Sequence, residues 1–325
     1  MKPILFSLMA LMLLGCLDKK NTAVDPLVEK QLFLELQLQA EVQLVGKWKV
    51  RKKTSGSRSN STQSKSFLAN CSIENFEMFG NQNFIIKTVD DNGNFNFVTG
   101  QYYSYFESVV IQGEIPRIYL FAADYDLKDT VDFEAALGSI ENLAFTSDGI
   151  EFDYIPGNSD LCLNAPYTYE AAKEEKLDVD GLGEQATNLF LDWNLKNLVV
   201  TVNGSELSNF QCEIIAQSFE NCFDESCAIP SYISLSITEY GSYYWKYRDV
   251  NNSVVSIEDA FWKFDERDPT AQTFLIKYDA LKPWDLGNII KIIRLDSATM
   301  ELLETRDSLE YRYLFTINDV ENCTF

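Results

Sequence analysis

The chain has 325 residues, with 49 acidic side chains against 27 basic ones and a formal charge of −22. That excess repels phosphate backbones and anionic headgroups, so neither nucleic acid nor a lipid surface is an electrostatic partner. It contains no histidine, which removes Ser-His-Asp and Cys-His catalysis, His-ligated zinc and the usual general base near neutral pH. Carboxylate chemistry and oxygen-ligated cations remain. A hydrophobic content of 46% supports real cores, and the length suits two domains.

At the N-terminus Lys2 precedes an apolar run, Ile4–Leu14, and then Gly15-Cys16. The run is far shorter than the roughly 20 residues of a membrane-spanning helix and fits the core of a signal peptide. Leu13-Leu14-Gly15-Cys16 resembles the bacterial lipobox. The resemblance implies that residues 1–15 are a cleaved lipoprotein signal and that Cys16 carries the lipid, palmitate included, that anchors the chain to a membrane. Only Asp18 is acidic in the stretch that follows. The periplasmic face of the outer membrane is therefore expected rather than the cell surface. Residues 16–43 read as a lipidated tether followed by a helix. Leu32 to Leu44 alternate as a strand would, but the Leu, Glu, Gln and Ala content favours helix, and Leu34, Leu38 and Val42 also fall at i, i+4.

Beyond Cys16 the cysteines are Cys71, Cys162, Cys212, Cys222, Cys227 and Cys323. An even set in an exported chain reads as disulfides. The nearly equal separations suggest Cys71–Cys162 and Cys227–Cys323, leaving Cys212–Cys222 as a local clip; spacing alone leaves other pairings open. Metal binding is disfavoured, since no Cys-x-x-Cys and no histidine occurs.

From Leu44 onward the pattern is β. Phe84/Ile86, Phe95/Phe97, Ile118/Leu120 and Ile150/Phe152/Tyr154 alternate with polar neighbours, and Asn92-Gly93 marks a hairpin. Leu127 to Gly138 suggests a short helix. Residues 164–188 read as a partly helical linker, and Asp178 to Gly181 as a turn before a calcium loop, because the further acidic ligand is missing. Strand patterns resume at Leu195 and run through Ile233/Leu235/Ile237, Tyr243/Trp245/Tyr247, Phe274/Ile276, Ile290/Ile292 and Tyr311/Tyr313/Phe315. In the aromatic run from Tyr240 to Tyr247, alternate residues are expected to face a core, with Tyr244 on the outside. The halves suggest a duplication: Asp91-Asn92-Gly93 answers Asp249–Asn252, and Leu143–Asp148 answers Ile293–Ser297.

Leu44-Val45-Gly46-Lys47-Trp48 resembles the Leu-x-Gly-x-Trp opening of lipocalin-like domains common in lipoproteins of Bacteroidota. Cys71, Asn92-Gly93-Asn94-Phe95 and Leu143 to Gly149 continue that resemblance. In the second half Leu189 and Trp193 echo the opening, with Asp192 in place of the glycine. The resemblance implies a mainly β fold of two antiparallel β-barrels, lipocalin-like domains at 44–163 and 189–325, with the linker at 164–188. It also implies a non-catalytic envelope lipoprotein that binds a small apolar ligand or a protein partner, without cofactor or metal. The alternatives are an accessory subunit of an outer-membrane assembly and a glycan hydrolase built on carboxylates.

Overall fold

The computed structural model describes residues 26–53, 71–105, 117–127, 131–157, 166–179, 186–220, 228–306, 309–320 and 322–324. The signal segment, Cys16 and the tether lie outside them. Residues 26–44 form a helix, α1 (Pro26–Leu44), so composition prevails over alternation there. Leu34, Leu38 and Val42 are exposed, while Leu44 at its end is fully buried.

Eight antiparallel strands follow: β1 (Gly46–Lys52), β2 (Cys71–Met78), β3 (Asn83–Asp90), β4 (Phe95–Tyr105), β5 (Arg117–Ala122), β6 (Gly138–Phe145), β7 (Ile150–Pro156) and β8 (Tyr167–Lys173). Each pairs with the next, and β8 closes onto β1 with Lys173 opposite Trp48. The ring is therefore a closed barrel, and closure removes the free edges that an open sheet would expose. β4 shows the local logic, alternating buried and part-buried residues along its length. Among the described residues of the stretch 127–138 there is a 3-10 turn, Phe133–Ala135, and no α-helix.

The second barrel consists of β9 (Asp192–Val202), β11 (Tyr232–Ile237), β12 (Ser242–Arg248), β13 (Val254–Phe264), β14 (Thr273–Lys277), β15 (Asn288–Leu295), β16 (Thr299–Arg306) and β17 (Leu309–Thr316), which pairs back onto β9. A one-turn helix, α2 (Ala186–Leu189), leads into β9. A short strand, β10 (Ser205–Leu207), and a helix, α3 (Phe210–Ser218), fill the long β9–β11 connection. The protein is thus a tandem of two eight-stranded barrels.

Both interiors are filled with side chains. Trp48, Phe76, Phe152 and Tyr169 make successive ring contacts in the first, with Phe76 and Phe152 edge to face at 5.7 Å between centroids. Trp193, Trp262, Phe274 and Phe315 occupy the second. Rings at these separations supply both apolar burial and favourable edge or offset contacts. The Trp48 indole donates to the Leu44 carbonyl at 2.8 Å, tying β1 to the end of α1. Gly46, with φ of 139°, makes the bend between them, a conformation that favours glycine.

The duplication is visible in the register. Trp48 stands opposite Phe76, as Trp193 stands opposite Leu235. Asp90 accepts from the amides of Asn92 and Asn94 in the β3–β4 turn, and Asp249 accepts from those of Asn251 and Ser253 in the β12–β13 turn. Counting back from the paired tryptophans, the position equivalent to Gly46 is Leu191, not Asp192. Asp192 is instead the counterpart of Lys47. The β10–α3 segment lengthens the first connection of the second repeat.

Two further readings are corrected. Residues 167–173 are not linker but the eighth strand, without which the first barrel would stay open; its short Tyr-Thr-Tyr-Glu-Ala alternation was masked by the charges that follow. The cysteines pair as Cys212–Cys323, 111 positions apart in sequence, so neither Cys212–Cys222 nor Cys227–Cys323 forms. Cys212 sits on α3, and the chain after β17 returns to it, with the Cys323 amide donating to Ser231. Cys71 is also disulfide-bonded; Cys162, Cys222 and Cys227 lie outside the described residues. Replacing both Cys212 and Cys323 by serine is expected to lower the unfolding free energy by about 4–5 kcal/mol, the loop-closure value for so long a loop. Urea denaturation of the purified protein measures it, and an unchanged midpoint would refute a stabilising role.

Candidate functional site

Four outward-facing residues cross the first barrel in one row: Lys47 on β1, Glu77 on β2, Ile85 on β3 and Thr99 on β4. The equivalent row of the second barrel is Asp192 on β9, Ser236 on β11, Tyr244 on β12 and Asp259 on β13. Lys87, opposite Asn75 and Phe97, corresponds to Lys246, opposite Ser234 and Ile257. These two faces pack on each other. Ile85, Tyr244 and Ile257 form a buried apolar cluster with Phe97 against it. Ile85 matches Tyr244 and Phe97 matches Ile257, so equivalent patches meet, as in an isologous interface.

One half of this interface is closed. Lys87 Nζ lies 2.7 Å from Asp259 of the other barrel and over the ring of Phe95. Tyr244 OH donates to Glu77 Oε2 at 3.0 Å, and Lys47 Nζ lies 5.3 Å from the centroid of Phe261. The segment after β8 reinforces the seam: the Glu174 amide donates to Lys47, the Leu177 amide to Glu239, and Lys176 pairs with Glu239 at 2.5 Å.

The other half stays open, and the counterparts of the closed contacts line a cleft of about 530 Å³. Ser236 and Ile85 stand where Glu77 and Tyr244 meet on the closed side, and Lys246 and Thr99 where Lys87 and Asp259 meet. The volume falls within the range of small-molecule sites. Asp192 lies on the cleft wall between two cations, 3.2 Å from Lys246 and 3.1 Å from Arg248, and accepts from the Ser236 hydroxyl. Arg248 is held further by Ser234 at 2.7 Å and by the Asn252 carbonyl at 2.8 Å. Burial works against the charge on Asp192, but Lys246 and Arg248 outweigh it and hold the carboxyl below its usual range. Burial lowers the Lys246 ammonium, and Asp192 offsets only part of that.

Glu77 also borders the cleft. It is 1% exposed, and its Oε1 has no hydrogen-bond partner. Burial raises its pKa, against the opposing pull of Lys47 and of the Thr238, Tyr244 and Ser242 hydroxyls. An unpaired buried acceptor is costly.

The residues singled out in the sequence fall mostly elsewhere. Trp48 is a core residue. Tyr243, Trp245 and Tyr247 face the second core, and Tyr244 faces outward but is covered by the first barrel. Asp249–Asn252 is a hairpin turn. Asp178 and Val179 are ordinary chain after β8, and among the described residues no acidic or cysteine cluster could hold a metal. The inward-facing acids at one end of the second barrel are already engaged: Glu258 by Tyr247 at 2.9 Å, and Glu304 by Tyr313 at 2.7 Å and Arg306 at 3.3 Å. The seam residues Lys47, Glu77, Lys87, Asp192, Lys246 and Asp259 went unremarked in the sequence. The sequence carries no clear signal for them, because the outer faces of β11 and β12 present Ser, Tyr, Lys and Arg; only their burial on both sides shows that a second barrel covers them.

No protein-family model and no curated protein matches the sequence. Among solved structures, similarity is found to a DUF3598-family protein of unknown function from Nostoc punctiforme, at 10% identity and a TM-score of 0.20, covering 86% of this chain and 98% of that one. It is also found to a single-residue variant of the vaccine antigen transferrin binding protein B from Haemophilus parasuis, at 9% identity and a TM-score of 0.18, covering 83% and 57%. The isotype 1 transferrin binding protein B from Neisseria meningitidis matches at 6% identity and a TM-score of 0.16, covering 85% and 62%. The chain thus spans less than two thirds of the length of these last two.

Because the folded protein protonates Glu77 at higher pH than the unfolded chain does, its contribution to stability is greatest when neutral and declines as pH rises from the ordinary value of 4.5. Glu77→Gln is therefore expected to gain stability relative to the wild type as pH rises from 4.5 towards neutrality. Thermal midpoints taken across that range test this; a constant difference between the two proteins would contradict it.

Proposed function

We propose that this protein is a lipid-anchored envelope protein, without catalytic activity, that binds a ligand in the cleft between its two barrels. The observation that carries the reading is the asymmetry of the interface. Equivalent faces meet, one half closes by ion pair and hydrogen bond, and the other half holds a cleft of ligand size with charged and neutral walls. The barrel interiors are occupied by aromatic side chains, so the ligand sits between the domains, where binding sites commonly form, and not within either one. A mixed polar and apolar lining suits a ligand with some polar character better than a purely apolar one.

The lipobox resemblance supports a lipid on Cys16 and an address at the periplasmic face of the outer membrane. Non-catalytic binding is supported by the absence of histidine and by the state of Glu258 and Glu304, each tied to a neighbouring tyrosine rather than held ready as an acid.

The test uses the full chain expressed in a bacterium and recovered from its membranes. Small molecules retained by the wild type are compared with those retained by Thr99→Trp, which fills the cleft from β4. Selective loss of a retained compound in the variant is expected. Identical contents in the two proteins would refute the cleft as the site. In the same strains, Cys16→Ser is expected to move the protein from the membrane to the soluble fraction; unchanged membrane association would refute the anchor.

A further inference from the structure

The unequal halves of the interface also specify what the cleft takes. Lys87 and Lys246 occupy the same position in the two repeats, on β3 and β12. Across the seam from Lys87 stands Asp259, whose carboxylate comes within 2.7 Å of the ammonium. The residue in the place of Asp259 on the first barrel is Thr99, which lines the open cleft together with Lys246 and brings no charge. Lys246 therefore has no cross-barrel acid in ion-pair contact, and Glu77 of the first barrel pulls on it only from a longer distance.

Its own barrel compensates only in part. Asp192 serves both Lys246 and Arg248, leaving two cations to one acid at that wall. Arg248 is held in place by Ser234 and Asn252 as well, whereas Lys246, 8% exposed, makes its one ion pair with the shared Asp192. Of the remaining acids of the cleft, Glu239 pairs with Lys176, while Glu77, whose carboxyl burial shifts towards the neutral form, is shared between the fields of Lys246 and of Lys47, itself ion-paired to Glu174 at 3.5 Å. A buried ammonium with half a partner favours an incoming anion strongly, because the desolvation of the lysine has already occurred in the folded protein.

We propose that the cleft takes a ligand bearing a carboxylate, which seats on Lys246 in the place that Asp259 occupies on Lys87. This rests on the cleft being a binding site at all, and it adds the chemistry the cleft reads. Ile85 and Val254 also line the cleft and offer apolar surface to the rest of the ligand. An acidic peptide side chain or a small organic acid meets both demands.

The test is calorimetric titration of the full chain with a blocked tripeptide carrying a central glutamate, and with its glutamine isostere. The glutamate peptide is expected to bind about tenfold more tightly, the weight of one charge-assisted hydrogen bond. Lys246→Met is expected to erase that preference. Thr99→Asp is expected to erase it too, by supplying from the first barrel the carboxylate that the ligand would bring, and to raise the thermal midpoint; Thr99→Asn keeps the preference. Thr99→Asp guards against the chance that Lys246→Met unfolds. Equal binding of the two peptides, lost in Thr99→Trp, would overturn the carboxylate while leaving the cleft intact. Binding that Thr99→Trp does not alter would overturn both, and a wild type that binds neither peptide would overturn the carboxylate.

Discussion

The ion pair between Lys87 and Asp259 joins two barrels that are each complete without it. Closed barrels have no free edges, so nothing in the hydrogen-bonding of either sheet requires a neighbour. What requires one is the outward face of β3 and β4, where Ile85 and Phe97 form an apolar patch around a charged lysine, and the matching face of β12 and β13. Packing these faces buries the patches and obliges every charge within them to find a partner. Lys87 finds Asp259; Glu77 finds Tyr244 with one oxygen and nothing with the other. The geometry of the cleft and the placement of Asp192 and Lys246 follow from how that obligation is met on one side of the seam and left partly unmet on the other.

This arrangement explains why a duplicated fold is not redundant. Two identical faces meeting would close both halves of the interface alike. Here the repeats differ at every position of that row: Thr99 against Asp259, Ile85 against Tyr244, Ser236 against Glu77 and Asp192 against Lys47. Each change exchanges size or charge at a cross-barrel contact, and together they convert one half into a cleft. The barrel interiors, by contrast, keep the same plan in both repeats, with a buried tryptophan on the first strand, Trp48 or Trp193, four residues after a buried leucine, Leu44 or Leu189.

The barrels were legible in the sequence because alternation reports directly on which side of a strand is buried, as in β4, and because Asp-initiated turns such as Asp90 to Asn94 carry their own hydrogen-bonding logic. The repeat was legible for the same reason. β8 was missed because a strand of seven residues followed by a charged stretch resembles a linker, and its role is set by closure, a non-local condition. The disulfide was misread because spacing carries no information about where α3 places Cys212. The cleft was not legible at all. Alternation separates inside from outside but says nothing of which outer face meets a second barrel, and Lys87, Lys246 and Asp259 are indistinguishable from solvated surface charges until the two faces are brought together.

The most direct measurement is a double-mutant cycle across the seam, with Lys87→Met and Asp259→Asn made singly and together and the unfolding free energy of each protein determined. If the barrels pack through these equivalent faces, the two residues couple by about 1 kcal/mol or more, the range for groups in contact. Additivity to within about 0.3–0.5 kcal/mol, as for distant sites, would contradict the interface and with it the cleft.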